Sequence, residues 1–260
     1  MSFDPFFEGD AAKRFQTLYM APSVVARRRR ALEILDPKAG ERVIDIGYGP
    51  GFFAADMCEK VGEGGLVSGV DASESMRALA LERCARYPQA DLRAGQVTAL
   101  PFPDGHFDAA LASNVYSYVG DVNNALAEMC RILRPGGRGL VIDFDWGSLV
   151  WHAADDARMD RITSAWMRKF DDPYFARTFR PHLRAAGLTP EHTESIAMFS
   201  TEIDPYVSGV TALIGNAVIG SSGINAREIA AWEADLENLA ASDEYFFSLN
   251  QYLFLVRKPL

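Results

Sequence analysis

The sequence predicts a doubly wound α/β fold, in which helices cover both faces of a mostly parallel sheet. Three observations support this. Between residues 42 and 144, short apolar runs alternate with stretches of helical period. The apolar runs are continuous rather than alternating, which is typical of parallel strands buried on both faces. A glycine-rich turn follows the first run, and sheets of this kind bind ligands at the carboxyl ends of their strands.

The first predicted strand is followed by a regular alternation of helices and strands. Ser73 precedes the second helix and is a typical helix N-cap residue. The third helix stops where Arg134-Pro135-Gly136-Gly137 begins. The predicted strands are Arg42–Gly47, Leu66–Asp71, Asp91–Gly95, Phe107–Ser113 and Gly139–Phe144, and the predicted helices are Phe52–Val61, Glu74–Arg86 and Asn123–Leu133.

The flanking segments predict an antiparallel sheet edge and a helical cap. Two late strands, Leu188–Ile203 and Glu244–Val256, are expected to pair antiparallel. Between them, the uncharged segment Pro205–Ala226 contains several glycines and could form a mobile cap or pack in the core. We therefore expect an N-terminal helical cap over residues 1–40, a ligand-binding core over 41–150, and the rest of the sheet with a helical cap insertion over 151–260.

Composition and charge limit the class of partner. The 260 residues include 26 basic and 35 acidic side chains, for a formal net charge of −9. A nucleic-acid-binding protein would carry a basic face. Pro205–Ala226, the longest uncharged run, is too polar and too interrupted by glycine for a membrane helix. We expect a cytoplasmic monomer or homodimer with a small-molecule substrate, and no nucleic-acid or membrane partner.

The cysteines favour a reducing compartment. Cys58, Cys84 and Cys130 lie in predicted helices among apolar neighbours, and no C-x-x-C motif or zinc-ligand spacing accompanies them. The first ten residues contain acids and no basic region, so no signal peptide is expected. Buried free thiols and no metal site are the expectation.

The glycine turn V-I-D-I-G-Y-G-P-G, Val43–Gly51, is the first candidate ligand site. It departs from the dinucleotide fingerprint G-x-G-x-x-G, because Phe52 stands at the place of the third glycine. The turn has no Lys or Arg to meet a pyrophosphate. Asp45 would repel a phosphate but suits a positive group such as an α-ammonium.

A second carboxylate, Asp71, ends the second predicted strand. At that strand tip it can accept hydrogen bonds from both hydroxyls of a ribose. Asp45 and Asp71 together indicate a nucleoside with a free ribose and a cationic amino-acid tail, and S-adenosylmethionine fits that description. An NAD-binding oxidoreductase and a non-catalytic S-adenosylmethionine-binding protein stay open as alternatives.

Four motifs, in order, resemble class I S-adenosylmethionine-dependent methyltransferases, in the small-molecule branch with ubiquinone/menaquinone-biosynthesis-like enzymes. They are V-I-D-I-G-Y-G-P-G, G-V-D-A-S, A-L-P-F-P-D-G-H-F-D and R-I-L-R-P-G-G, all within about residues 42–145. The C-terminal part matches only loosely. The resemblance implies a Rossmann-like fold and methyl transfer to a small, apolar or aromatic molecule by in-line displacement.

The resemblance also implies the cofactor contacts. The glycines of the turn would pass under the methionine part, Asp45 would act on the ammonium group, and Asp71 would hold the ribose. Gln96 stands where relatives often have an Asp that binds the adenine amino group, and its amide oxygen can still accept that bond. The implied contacts are Tyr19, Asp45, Gly47, Gly49, Gly51, Asp71, Ala72, Met76, Gln96, Val97 and Asn114.

Residues after the fourth and fifth strands emerge at the same edge and are candidates for substrate contact. Tyr116 and Tyr118 could line a pocket or pack between sheet and helix. The stretch Asp143–His152 is dense in carboxylates and aromatic rings. His152 is the candidate general base, since imidazole titrates near neutral pH, although it could also be structural. We expect His152 and Tyr116 to be catalytic, and Tyr118, Asp145 and Trp146 to contact the substrate.

The run Arg27–Arg30 is the one basic cluster in this acidic chain. Four consecutive helical positions span about 300° of a helical wheel, so the run does not form a single basic stripe. Arg28 shares a face with Val24, Ala31 and Leu35. Most of the run is expected to be solvated, although one arginine could be partly buried against a carboxylate.

Overall fold

The structure, a computed structural model, describes residues 16–260. Its strands are β1 (Arg42–Ile46), β2 (Leu66–Asp71), β3 (Ala90–Ala94), β4 (Phe107–Ser113), β5 (Leu133–Trp151), β6 (Thr189–Ser200) and β7 (Phe247–Arg257). Its helices are α1 (Pro22–Leu35), α2 (Phe52–Val61), α3 (Glu74–Cys84), α4 (Val122–Ile132), α5 (Asp156–Met167), α6 (Phe175–Ala185), α7 (Pro205–Val218) and α8 (Ala226–Ala241). A 3₁₀ turn covers Tyr116–Tyr118.

One sheet carries all seven of these strands in the order β3-β2-β1-β4-β5-β7-β6. Strands β1 to β5 pair in parallel, and β7 pairs antiparallel with both β5 and β6. The predicted doubly wound sheet with an antiparallel final strand is therefore confirmed. The strand order reverses between β1 and β4, and such a switch point opens a crevice outside the carboxyl ends of the strands.

Three apolar clusters hold helices against the sheet. Helices α1, α2 and α3 pack on one face, and α4 and α6 pack on the other. The third cluster joins α5, α7 and α8 to the ends of β5, β6 and β7 at the carboxyl edge of the parallel strands. This third cluster, here named the helical layer, covers the side of the molecule onto which the switch point opens.

Short polar side chains cap most of the helices, because their oxygens satisfy N–H groups left free in the first turn. Ser73 Oγ accepts a hydrogen bond from the Met76 N–H at 3.1 Å, as its position before α3 predicts. Helix α2 differs: it begins after Gly51 and has no side-chain cap. Its first turn follows the glycine turn directly. The capping residues of α4, α5, α7 and α8 are Asp121, Asp155, Asp204 and Asn225.

Strand β5 is much longer than the predicted Gly139–Phe144. It begins pairing with β4 at Leu133, and a register shift between Phe107 and Ala109 of β4 absorbs the Pro-Gly-Gly segment. Bulges of this kind accommodate proline and glycine within a sheet. At its other end β5 continues to Trp151 by pairing with β7, with a second register shift after Asp145. Pairing with a distant strand therefore overrides the local breaking signals.

The segment Pro205–Ala226 is mainly the ordered helix α7, which favours core packing over a mobile cap. Asp204 accepts a hydrogen bond from the Val207 N–H at 2.7 Å and starts the helix. A Cβ on Gly209 would lie 2.6 Å from Leu18, and one on Gly215 would lie 2.9 Å from Ile229. These two glycines allow close helix packing, which their sequence alone does not distinguish from flexibility.

The structure also bears on the predictions for the cysteines, the N-terminal cap and membrane-spanning helices. Cys58, Cys84 and Cys130 lie on α2, α3 and α4 as unpaired thiols, the first two buried. The helical cap predicted over residues 1–40 lies in part outside the described residues, and α1 is its main described element. None of the helices described between residues 16 and 260 combines the length and apolar character of a membrane span.

Candidate active site

The glycine turn between β1 and α2 brings bare backbone to the switch point. Gly47, Gly49 and Gly51 have φ values of 72°, 51° and 78°, in the left-handed region that favours glycine. A Cβ on Gly47 would collide with Val115, and one on Gly51 would lie 2.8 Å from the Cβ of Ala80. Among residues 16–260, no atom lies within 4 Å of the position that a Cβ on Gly49 would take. Close packing thus requires two of the glycines, and the third faces a cavity.

Asp71 fixes this turn from the tip of β2. Its Oδ2 accepts a hydrogen bond from the Gly49 N–H at 2.8 Å, and its Oδ1 accepts one from the Ser73 N–H at 2.9 Å. The side chain is 9% exposed and lines the cavity beside the turn. A carboxylate held in this way presents fixed negative charge to a ligand.

Asp45 lies beneath the turn and is buried. Its Oδ2 has no hydrogen-bond partner among residues 16–260. Burial, and secondly the charge of Asp71, raise the pKa of Asp45 to about 8, although the backbone N–H of Ala54 lowers it. An unpaired buried oxygen of this kind gains most from a cationic group placed nearby.

The cavity beside the turn, here named the glycine-turn cavity, collects most of the predicted cofactor contacts. Asp45 and Gly51 lie outside its wall, the former buried and the latter packed against α3. Ser113, Val115 and Val119 were missed, because they complete the wall through the fold of the segment after β4. The lining is Tyr19, Gly47, Gly49, Asp71, Ala72, Met76, Gln96, Val97, Ser113, Asn114, Val115, Tyr118 and Val119.

Asn114 and Tyr19 form one side of this cavity. Asn114 has a φ of 55°, which is uncommon outside glycine, and such backbone strain concentrates at functional sites. Its N–H donates to the carbonyl of Ile142 at 2.7 Å. The Tyr19 ring stacks on Phe52 with centroids 5.6 Å apart. Burial raises the pKa of Tyr19 to about 12, so its hydroxyl stays protonated.

A second cavity, here named the aromatic cavity, adjoins the first and shares Tyr19, Ser113, Asn114 and Tyr118 with it. The helical layer and α1 form its outer wall. Most of its lining is apolar or aromatic, with a few polar groups. The other lining residues are Leu18, Val24, Arg27, Arg28, Phe53, Ser117, Ile142, Asp143, Phe144, Trp146, Trp166, Phe170, Tyr206, Val210, Leu213 and Gln251.

Asp143 is the buried acid of the aromatic cavity. Its Oδ1 accepts hydrogen bonds from the Ser117 hydroxyl at 3.0 Å and the Phe144 N–H at 2.9 Å, and its Oδ2 accepts one from the Ser117 N–H at 3.1 Å. Burial raises the pKa of Asp143 to about 7, against the lowering effect of these bonds. Asp143 lies in the carboxylate-rich stretch after the fifth strand, but the sequence alone predicts Asp145 as the carboxylate at the substrate.

Arg27 and Arg28, adjacent on α1, also line the aromatic cavity. Arg28 donates from Nε to Asp56 at 2.6 Å and is 9% exposed, so the expected arginine buried against a carboxylate is present. Arg27 was not singled out by the sequence. Its guanidinium contacts Met198, Gln251 and the ring of Tyr206, all distant in sequence.

The two predicted catalytic residues lie outside both cavities. His152 is exposed, and its backbone N–H donates to the carbonyl of Phe246. It is carried away from the site because β5 continues to Trp151. Tyr116 is 1% exposed and packs edge-on against Phe175, and burial raises the pKa of its hydroxyl well above the usual value. These placements correct both expectations: one residue is on the surface and the other is in the core.

Of the three predicted substrate contacts, two line a cavity and one does not. Tyr118 lines both cavities and Trp146 lines the aromatic cavity. Asp145 does not line either one. Its Oδ2 accepts a hydrogen bond from Arg177 Nε at 2.6 Å, and its Oδ1 accepts one from the Gly147 N–H at 3.0 Å. Asp145 therefore joins β5 to α6, and this corrects its expected role at the substrate.

Comparison with known proteins identifies the domain family that this chain matches. Residues 44–141 match the family described as methyltransferase domain. The chain is 30% identical over 168 residues to 2-phytyl-1,4-naphtoquinone methyltransferase of Synechococcus elongatus, covering 64% of this chain and 66% of that protein. It is 36% identical over 118 residues to demethylmenaquinone methyltransferase of Thermus thermophilus, covering 45% of this chain and 53% of that protein.

Among solved structures, phosphoethanolamine N-methyltransferase 2 of Haemonchus contortus, in complex with S-adenosyl-L-methionine, matches with a TM-score of 0.64. The match has 18% sequence identity and covers 100% of this chain and 60% of that chain, so it supports the fold alone. The chain spans between about half and two thirds of the length of the two curated relatives above.

Fold, motifs and family match together define a class I S-adenosylmethionine-dependent methyltransferase core. Residues 44–141 belong to the methyltransferase domain family. Its own residues fit the cofactor, since the unpaired oxygen of Asp45 suits the ammonium group and Asp71 suits the ribose. The bare backbone at Gly49 leaves room beside them.

Proposed function

We propose that this chain transfers a methyl group from S-adenosylmethionine to a small, apolar or aromatic molecule. One observation carries the proposal: the glycine-turn cavity adjoins the aromatic cavity and shares four lining residues with it. Two adjoining cavities allow a methyl donor and an acceptor to approach each other in line. The names of the two curated relatives, which are naphthoquinone and demethylmenaquinone methyltransferases, support an acceptor with an aromatic or quinone ring.

The glycine-turn cavity would hold the donor. Asp45 would act on the ammonium group from beneath the glycine turn, Asp71 would bind the ribose hydroxyls, and Gln96 would bind the adenine amino group. Ala72, Met76 and Val97 would lie along the adenine ring. When bound, the cofactor supplies a methyl group already activated on a sulfonium. The protein therefore needs mainly to position the acceptor and exclude water.

The aromatic cavity would hold the acceptor. Trp146, Trp166 and Phe170 form one wall in mutual ring contact, with centroid distances between 5.1 and 5.3 Å. Rings packed in this way offer flat apolar contact to a planar acceptor. Tyr118 packs on Phe170 with centroids 4.7 Å apart and continues the wall to the glycine-turn cavity.

Asp143 would be the general base, a role for which the sequence alone predicted His152. An acceptor that must lose a proton needs a base in reach, and the best catalytic pKa lies near the working pH. Asp143 lines the aromatic cavity and its pKa is raised to about 7. Ser117, bonded to Asp143 by both its hydroxyl and its N–H, would keep the carboxylate in place.

Three further expectations belong to this proposal. The chain is divided into the cap over residues 1–40, the core over 41–150 and the C-terminal part over 151–260. It acts in the cytoplasm, as a monomer or homodimer. The acidic net charge of −9 supports a small acceptor over nucleic acid.

Calorimetric titration of S-adenosylmethionine, S-adenosylhomocysteine and NAD into the purified protein tests the donor site. We expect the first two to bind and NAD not to bind. Binding of NAD alone would favour an oxidoreductase. Methyl transfer to quinol and naphthol acceptors, followed by mass spectrometry, then separates an enzyme from a non-catalytic binding protein.

A further inference from the structure

Arg27 projects from α1 into the aromatic cavity, and its hydrogen-bond partners among residues 16–260 are uncharged. Nε donates to the carbonyl of Ser23 at 3.3 Å, and Nη1 donates to Met198 Sδ at 2.7 Å and to Gln251 Oε1 at 3.3 Å. The guanidinium carbon lies 4.8 Å from the ring centroid of Tyr206. The cation is thus held by a carbonyl, a thioether, an amide and an aromatic ring.

Two neighbouring arginines on α1 differ from Arg27, because each pairs with a carboxylate. Arg28 pairs with Asp56 at 2.6 Å, and Arg30 pairs with Glu194 at 2.6 Å. No carboxylate lies within 4 Å of the Arg27 guanidinium among residues 16–260. The charge of Asp204 favours the protonated form of Arg27, but its carboxylate caps α7 through the Val207 N–H at 2.7 Å and forms no ion pair with Arg27.

A partly buried cation with no carboxylate paired to it among residues 16–260 is costly. Desolvation lowers the pKa of Arg27, and the contact with Tyr206 offsets part of that cost through cation–π attraction. An anionic oxygen from a ligand would complete the site, because guanidinium binds oxyanions strongly through paired N–H donors. The surrounding rings suit the apolar remainder of such a ligand.

Gln251 connects Arg27 to the place where the two cavities meet. Its Oε1 accepts from Arg27, and its Nε2 donates to Asn114 Oδ1 at 3.3 Å. Asn114 lines both cavities. An oxyanion held at Arg27 would therefore fix the orientation of the acceptor relative to the glycine-turn cavity.

We propose that Arg27 is a specificity residue that binds an anionic oxygen, carboxylate or phenolate, on an aromatic acceptor. This inference rests on the proposed function, and it makes the acceptor an aromatic acid rather than a neutral ring. Arg27 would bind and orient the acceptor without touching the transferred methyl group.

The test uses the protein saturated with S-adenosylhomocysteine and a matched pair of probes, 2-naphthoate and the neutral 2-naphthamide. We expect the wild type to bind 2-naphthoate at least about tenfold more tightly, a difference of about 1.4 kcal/mol. In Arg27→Met the preference should disappear, with affinity for 2-naphthamide unchanged. The exposed neighbour Arg29 offers the control Arg29→Met, which should keep the preference.

A second probe, 4-nitrophenol, distinguishes a phenolate site. Its absorbance reports its ionisation near neutral pH, and binding at Arg27 should favour the phenolate in wild type and Arg29→Met but not in Arg27→Met. No preference for either oxyanion in the wild type, or a preference that survives in Arg27→Met, would overturn the inference. Unchanged affinity for S-adenosylhomocysteine shows that Arg27→Met is folded, whereas failure of the wild type to bind it would contradict the proposed function instead.

Discussion

At the scale of single residues, Asp71 holds the glycine turn in place and is also the residue proposed to bind the ribose. It accepts hydrogen bonds from Gly49 and Ser73 and lines the glycine-turn cavity. The motif made it predictable, because a carboxylate at the tip of the second strand needs only local sequence to be recognised. The glycines of the turn and Ala72 were predictable from local sequence in the same way.

Asp71→Ala should weaken binding of S-adenosylmethionine by about 1–3 kcal/mol, the cost of a lost charge-assisted bond. Calorimetry on the purified variants measures this, with Asp71→Asn as the milder change. Glu63→Ala, at an exposed acid, is the control. Wild-type affinity in Asp71→Ala would remove the residue from the ribose site.

Asp143 shows the opposite case, because nothing local distinguishes it from Asp145. Only the fold reveals that Asp143 accepts a hydrogen bond from Ser117 in the aromatic cavity, whereas Asp145 pairs with Arg177. Arg27 was hidden for the same reason, since its contacts come from β6, β7 and α7. Sequence reasoning finds residues in motifs and misses residues defined by long-range packing.

Asp143→Asn should lower kcat by about 10²–10⁴-fold for an acceptor that must lose a proton. The wild-type rate should rise with pH through about 7, where Asp143 ionises, and the variant should lack this rise. Rate profiles between pH 5 and 9 (about two units either side of that pKa) measure both. A variant that keeps the wild-type profile would show that the base lies elsewhere or is not needed.

At the scale of elements, the length of β5 explains why His152 does not lie at the site. The sequence predicted a strand that ends near Phe144, which placed His152 in a loop at the site. Pairing with β7 extends β5 to Trp151 and carries His152 to the surface. A strand's end is set by its partner, and β7 lies about a hundred residues further along the chain.

The glycine turn allows a comparison within one element. Gly51→Ala should destabilise the fold by about 1–2 kcal/mol for its left-handed backbone and by about 1–3 kcal/mol more for overpacking against Ala80. Gly49→Ala should carry only the backbone cost, since its Cβ meets open space, but should weaken the binding of S-adenosylmethionine. Urea unfolding and calorimetry separate the two effects. Equal loss of stability in both variants would contradict the distinction.

At the scale of the whole molecule, the doubly wound parallel sheet and its antiparallel final strand were predictable from the sequence, because burial pattern and chain order constrain topology. The helical layer was only partly predictable. Its helices were expected, but α7 had the composition of a flexible cap, and its glycines proved to be packing positions against Leu18 and Ile229. The aromatic cavity exists only once this layer is in place.

Global stability should depend on Asp45. Its pKa in the folded protein, about 8, is higher than the unfolded value of about 3.9. The folded state therefore holds the extra proton, and this residue's contribution to the free energy of unfolding falls as pH rises from about 4 to about 8. Asp45→Asn should remove that part of the decline, measured by urea unfolding of the ligand-free protein across this range.

The ligand-free folded protein favours the protonated form of Asp45. Bound S-adenosylmethionine should favour the ionised form instead, because its ammonium group is positively charged. Binding of S-adenosylmethionine at pH 7 should release a proton in the wild type and not in Asp45→Asn. Calorimetry in buffers with different ionisation heats counts that proton. Identical values in both proteins would show that Asp45 does not face the ammonium group.

The position of β7 in the sheet constrains the order in which the strands can assemble during folding. It follows β6 along the chain but lies between β5 and β6 in the sheet, and it supplies Gln251, which joins Arg27 to Asn114. During translation the motif-bearing strands leave the ribosome first, yet β6 has no place in the sheet until β7 has emerged. A nascent chain that stops before Phe247 would carry every recognisable motif and still lack an acceptor site.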